Sequence, residues 1–306
     1  MEKKTIVMIG SSCIDEYYET TYIPQAGEKT LTTFIGKSVG GMIGNAAAVA
    51  ASYGLDVHLM DVMTTGANTE FILEDCKKAG ICLDMIRYDE TLSDVRCMLF
   101  TKDGERTIFV VPTQKVNVEP DEEQKKILTS AEYVYTNLEE LKYFKDPLGF
   151  VDWLCKMGIK LVLDVEFVDE STKELEWEFM KSCSILYVNE EGQRQLSAKI
   201  SKSFIEELNE RGCLVVATKG KAGCQIFDPK GGSVEVPAFE VQPVDTTGAG
   251  DTFNSSFLYG LTQGWNIEEA ARFANGAAAR AILYRGARSG AVGVKEVEHF
   301  ICENQK

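Results

Sequence analysis

Between residues 120 and 218 short apolar runs alternate with amphipathic stretches, and this alternation leaves few folds open. Strands are expected at 132–137 (EYVYTN), 159–165 (IKLVLDV), 183–188 (CSILYV) and 213–218 (CLVVAT). Helices are expected at 120–130, 147–157, 171–181 and 202–211. Continuously apolar strands are buried on both faces, and helical crossovers between them make neighbouring strands parallel. The expectation is an α/β fold: a Rossmann-like three-layer α/β/α sandwich with a mostly parallel central sheet.

The first 120 residues read less regularly. A strand is expected at 4–10, a small-residue helix at 44–54, a strand at 56–62, a helix at 68–80 and a strand at 81–87. Residues 18–40, 94–101 and 106–111 instead alternate polar and apolar positions, as half-exposed antiparallel strands do. The last two are expected to join through a turn at Thr101-Lys102-Asp103-Gly104. These segments suggest a small separate β-sheet, a lid formed by about 12–40 and 90–115 within a single domain spanning 1–306. After 223 come two short strands and then three helices.

Composition excludes some functions. A net charge of −15 disfavours nucleic acid and anionic membranes as partners. Nine cysteines with no C-x-x-C pair read as reduced, mostly buried thiols rather than a zinc or disulfide framework. Neither of the two histidines, His58 and His299, sits in a pattern suggesting nucleophilic catalysis. The apolar run in MEKKTIVMIGSS is too short for a signal peptide or a span, and no stretch of eighteen apolar residues occurs. A cytoplasmic location is expected.

The stretch 244-VDTTGAGDTF-253 carries the chemistry. It is neither a Walker loop nor a G-x-G-x-x-G loop, because Phe253 stands where the third glycine would be. Thr246 or Thr247 can cap a following helix. Gly248, Ala249 and Gly250 can aim amides at an anion, with the positive end of the helix behind them. Asp251 falls in the first helical turn. On local chemistry alone it either complements the helix dipole or serves as a base beside an anion hole.

Four further stretches accompany this loop: GSSCIDEYY with Asp15, 40-GGMIGNAAAVA-50, TKGKAG at 218–223 and ARFANGAAA at 271–279. In this order and spacing they resemble the ribokinase family, the PfkB-type carbohydrate kinases. The resemblance covers nearly the whole chain. It implies an ATP-dependent, Mg2+-assisted transfer of phosphate to the hydroxyl of a small carbohydrate, fructose-like or related. Asp251 is implied as general base and Gly248, Ala249 and Gly250 as the anion hole. Asp15, Gly40, Gly41 and Asn45 are the implied sugar set. Thr218, Gly220, Gly223, Asn275 and Asn189 are implied for the nucleotide. Asp245 and Thr247, with loop 285–290, are implied for a monovalent cation such as K+. A homodimer through the lid is implied as well.

Departures from the family pattern bear on metal and substrate. Gly192 stands where the family usually has a glutamate that organises Mg2+, with Glu190 and Glu191 as neighbouring carboxylates. Residues 112–117 (PTQKVN) and 164–169 (DVEFVD) differ from the usual patterns, and Ser256 replaces a smaller residue. Met42 stands where ribose and phosphosugar kinases often carry lysine, which disfavours those substrates. Lys37 and Arg96, in the expected lid strands, are either exposed charges or contacts for an anionic group. Two other readings share these motifs. One is a nucleoside kinase, for which Tyr17, Tyr18, Tyr22 and Phe34 could stack a base. The other is a non-catalytic sugar or nucleotide sensor.

Overall fold

The computed structural model describes residues 4–102, 105–166, 168 and 173–304. The chain opens with β1 (Thr5–Ile9), β2 (Cys13–Thr20), β3 (Thr32–Gly40) and α1 (Met42–Ser52). Next come β4 (Asp56–Met63), α2 (Ala67–Lys78), β5 (Ile86–Tyr88), β6 (Arg96–Lys102) and β7 (Glu105–Val111). The regular middle contains α3 (Glu122–Ser130), β8 (Tyr133–Asn137), α4 (Leu138–Lys142), α5 (Pro147–Lys156), β9 (Lys160–Val165) and α6 (Lys173–Lys181). It continues through β10 (Ile185–Val188), α7 (Glu190–Lys199), α8 (Phe204–Glu210) and β11 (Leu214–Thr218). The chain ends with β12 (Cys224–Phe227), β13 (Ser233–Val236), α9 (Ala249–Thr262), α10 (Ile267–Ala281) and α11 (Val294–Glu303).

Nine strands form the central sheet in the order β13-β12-β11-β10-β9-β8-β1-β4-β5. Its pairs are parallel except β11–β12 and β12–β13, which are antiparallel. Side chains alternate between two buried layers. Ile6, Met8, Tyr133 and Tyr135 face α1, α9 and α10; Val7, Ile9, Val134 and Leu161 face the helices of the regular middle. The strand order reverses beside β1, since β4 lies on one side of it and β8 on the other. A crevice opens at the carboxyl ends of strands at such a reversal.

A second sheet, ordered β3-β2-β6-β7, is built from the alternating segments of the first 120 residues. Its β2–β6 pair is parallel and its outer pairs antiparallel. Among the described residues, no helix is long and apolar enough to cross a membrane.

The structure corrects three local expectations. Helices α4 and α7 are absent from the sequence reading. The first is a single turn capped by Asn137, too short to show periodicity. The second is polar, with Leu196 its one buried apolar residue, so no apolar stripe betrays it. The strand expected at 81–87 shrinks to β5, with Cys82 making only an isolated bridge to His58. Asp103 and Gly104 of the expected turn, and residues 171 and 172 of the expected helix 171–181, lie outside the described residues.

Lys115, in the connection after β7, anchors the crevice from below. Its ammonium lies 2.5 Å from Asp61 at the end of β4 and 2.7 Å from Glu140 in α4, and donates to Ser11 Oγ at 2.8 Å. Lys115 and Asp61 are buried and Glu140 is half-buried. Burial alone would lower the lysine's pKa, but the two carboxylates outweigh it and hold the ammonium above its ordinary value. Burial pushes Asp61 up to about 7 against the pull of Lys115. Replacing Lys115 with methionine therefore leaves buried Asp61 and half-buried Glu140 without their cation, at a cost of about 3–5 kcal/mol. Without the ammonium Asp61 holds its proton to higher pH, so the loss should be larger at about pH 8 than at about pH 5. Urea unfolding midpoints at the two pH values check this; equal losses would refute it.

Candidate active site

The loop before α9 turns on Gly248. This residue occupies the N-cap position in the left-handed conformation, φ 75°, without a side-chain cap. A Cβ there would fall 2.0 Å from the Ala287 carbonyl oxygen, so only glycine lets loop 285–290 come this close. The expected threonine cap does not form. Thr247 instead turns back, donating its amide and hydroxyl to Asp245 Oδ1 at 3.0 and 2.6 Å. Asp245 Oδ2 accepts from the Gly286 amide at 3.0 Å. The two residues named for a monovalent cation thus tie the α9 loop to loop 285–290.

Asp251 follows in the first turn of α9 and is buried, at 7% exposure. Asn45, from the first turn of α1, donates its Nδ2 to Asp251 Oδ2 at 2.8 Å. Arg288 bonds Ser12 Oγ and Asn45 Oδ1 at 3.3 and 3.4 Å and pairs with Asp75. This fixes the amide so that its donor faces Asp251. Burial pushes the Asp251 carboxyl well above the usual carboxylate range, reinforced by Glu166, Asp164 and Asp15 and opposed by the Asn45 bond. Asp164 is held by Tyr135 and Asn254 at 2.6 and 2.8 Å, and burial raises it to about 7.

A cavity of about 500 Å³ opens above these groups at the carboxyl end of β1 and β8. Asp15, Gly41, Asn45, Glu166 and residues 246–251 line it. Gly40 sits beneath: a Cβ there would lie 2.1 Å from Asp15 Oδ2, so glycine makes room for that carboxylate. At Gly41, φ 94°, a Cβ would lie 2.7 Å from the Ser11 carbonyl oxygen. The structure therefore brings the proposed base and the sugar set to one cavity. One amide departs from expectation. Ala249 N–H closes onto the Thr246 carbonyl at 3.3 Å, leaving Gly248 and Gly250 to offer the loop's other amides.

The residues named for the nucleotide lie outside that lining, four of them at the ends of β10, β11 and β12 and Asn275 within α10. Thr218 ends β11, Gly220 adopts φ 50° and Gly223 φ 94°. Two of the five are committed to structure. Asn189 caps α7, its Oδ1 accepting from Gly192 N at 2.7 Å. Asn275 donates to the carbonyls of Val236 and Pro237, both at 3.1 Å, pinning α10 to the end of β13.

Three features in or beside the cavity escape the sequence reading. Gly192 is sterically demanded, since a Cβ there would meet the Val165 carbonyl at 2.4 Å. Neighbouring Glu191 is engaged by Arg194 and Gln195. Glu166, from the divergent stretch after β9, does border the cavity, beside Asp15, Glu140 and Asp251. Arg288 is the second feature, its only signal being an arginine inside a glycine loop. Cys13 and Cys97 are the third: both line the cavity. Conversely, Lys37 turns to Asn68 and Phe71, and Arg96 to Glu16. Tyr18 packs on Phe34 and Phe100, with ring centroids 5.6 and 5.2 Å apart.

Replacing Gly248 with alanine should cost about 1–3 kcal/mol, because it forces both the left-handed backbone and the clash with Ala287. An unchanged thermal midpoint would contradict this account of the loop.

Comparisons with known proteins agree with this architecture. Residues 3–292 match the model of the pfkB family carbohydrate kinases. The chain is 28% identical over 305 residues to ribokinase from Bacillus subtilis (strain 168), covering 97% of this chain and 99% of that protein. Arabidopsis thaliana ribokinase, solved with ribose and ATP, superimposes with a TM-score of 0.83 at 23% identity, covering 98% and 99% of the two chains. Fructokinase from Xylella fastidiosa, solved with ATP, gives 0.84 at 20% identity over 100% of each chain.

Proposed function

Because this chain belongs to the pfkB family of carbohydrate kinases, we propose that it phosphorylates one hydroxyl of a small, uncharged, fructose-like sugar with Mg-ATP. The observation that carries the substrate class is the lining of the cavity. It presents Asp15, Asn45 and Asp251, while among its described residues there is no lysine, arginine, histidine or aromatic ring. Carboxylates and amides suit vicinal hydroxyls, a sugar phosphate calls for a cation, and a nucleobase calls for a ring to stack on. The tyrosine and phenylalanine side chains that could stack a base are not among the lining residues.

The roles follow from position. Asp15 accepts from sugar hydroxyls, and Asn45 holds both sugar and Asp251. Asp251 takes the proton from the attacking hydroxyl as the bond to phosphorus forms. The Gly248 and Gly250 amides, at the positive end of α9, stabilise charge on the transferred phosphoryl group. Thr218, Gly220 and Gly223 border the nucleotide. The second sheet acts as a lid that keeps water from the phosphoryl group. Its exposed Phe34, Ile35, Phe109 and Val110 suit the same sheet of a second copy, and so a homodimer. Asp245 and Thr247, with loop 285–290, are the place for K+. The cytoplasm is the location this reading favours.

The donor set fits a hard divalent cation. Glu166 offers carboxylate oxygens at the cavity wall, where Gly192 offers none, and would hold Mg2+ together with nucleotide phosphates and water. When bound, the ion supplies charge neutralisation between the phosphates.

Asp251→Asn should lower kcat by about 10²–10⁴-fold in ADP release with Mg-ATP and a panel of sugars, with nucleotide affinity retained. Undiminished turnover would remove Asp251 from its role, and a nucleoside as best substrate would overturn the substrate class. Glu166→Gln should weaken Mn2+ binding to the protein–nucleotide complex, read by electron paramagnetic resonance; unaltered binding would relocate the metal.

A further inference from the structure

Two thiols stand at the sugar end of the cavity with no part in that chemistry. Cys13 begins β2, and Cys97 lies in β6, where parallel register sets it opposite Asp15. All three residues line the cavity. Cys13 Sγ lies 3.6 Å from Cys97 Sγ and 3.4 Å from Asp15 Oδ1. One ligand atom from each of the three falls within 4.8 Å of the others.

We propose that Cys13, Cys97 and Asp15 form a binding site for a thiophilic divalent cation of the Zn2+ class, exclusive with the sugar. Tetrahedral zinc, with Zn–S about 2.3 Å and Zn–O about 2.1 Å, sets two sulfurs about 3.8 Å apart and sulfur from oxygen about 3.6 Å apart. The observed separations, 3.6 and 3.4 Å, differ from these by only a few tenths of an ångström. The strand pairing therefore holds the ligands close to the geometry such an ion needs. Two thiolates and one carboxylate favour a soft or borderline ion over Mg2+, which demands oxygen and octahedral geometry. Binding displaces the two thiol protons to solvent, and the three protein ligands leave the fourth position open.

Asp15 is also the acceptor proposed above for sugar hydroxyls, so an ion there occupies the substrate's place. That consequence rests on the proposed function; the binding of the ion does not. Half-exposed Asp56, His58 and Cys82 form a second group of potential ligands and serve as the internal comparison.

The test titrates reduced protein with Co2+, whose tetrahedral thiolate complexes absorb strongly by charge transfer. One equivalent should produce the band, Zn2+ should abolish it, and two protons should leave per ion in weakly buffered solution. Cys13→Ser and Cys97→Ser should each lose the band, while Cys82→Ser and Cys302→Ala keep it. Circular dichroism separates loss of the site from loss of the fold, and proton release from the unaltered protein needs no variant. No band, a band that survives both Cys13→Ser and Cys97→Ser, or one lost with Cys82 overturns the proposal. Zn2+ should then compete with the sugar in turnover. A formed band with non-competitive kinetics overturns the exclusivity. A formed band in a protein that turns over no sugar upholds the metal site and faults the kinase reading instead.

Discussion

One hydrogen bond joins the two ends of the site. Asn45 and Asp251 are separated by 206 positions, yet Asn45 Nδ2 lies 2.8 Å from Asp251 Oδ2 in a buried setting. Each residue sits in the first turn of its helix, and α1 and α9 pack side by side on one face of the sheet. The bond can form only if both helices begin at the same level above the strand ends. Gly41 and Gly248 set those levels, since each helix starts at a glycine with positive φ pressed against a neighbouring loop. Asn45 also opposes the burial and the neighbouring carboxylates that push Asp251 toward its protonated form.

The surroundings of this bond divide the cavity by charge. Glu166, Asp164 and Asp15 add to burial in raising the affinity of Asp251 for a proton. Lys115 lies outside the lining, spent on Asp61 and on Glu140, which borders it. With Glu140 also at its wall, the cavity has a described lining that carries negative charge, while the loop amides at the start of α9 supply the positive potential. That division suits a neutral polyol on one side and a phosphoryl group on the other.

Much of this was legible in order along the chain. Apolar runs of strand length separated by amphipathic helices led directly to the parallel sheet. Short helices did not announce themselves, because a five-residue turn such as α4 has no period and a polar helix such as α7 has no stripe. Asp15, Asn45 and residues 248–251 were named from motifs, and all of these border one cavity. Glu166, Arg288, Cys13 and Cys97 were not assigned there, because none belongs to a recurring pattern and each acquires meaning only from its neighbours.

Local chemistry sets what a short stretch can do, so the sequence by itself determined the fold class, the glycine-bearing helix start and the candidate base. Tertiary structure alone decided which side chains face one another. It took Ala249's amide into a turn, spent Asn189 and Asn275 on caps and struts, and excluded a side chain at 192 by 2.4 Å of approach from the Val165 carbonyl. The physical reason is that hydrogen bonding and steric exclusion act over a few ångströms in space, a distance that separation along the chain does not encode.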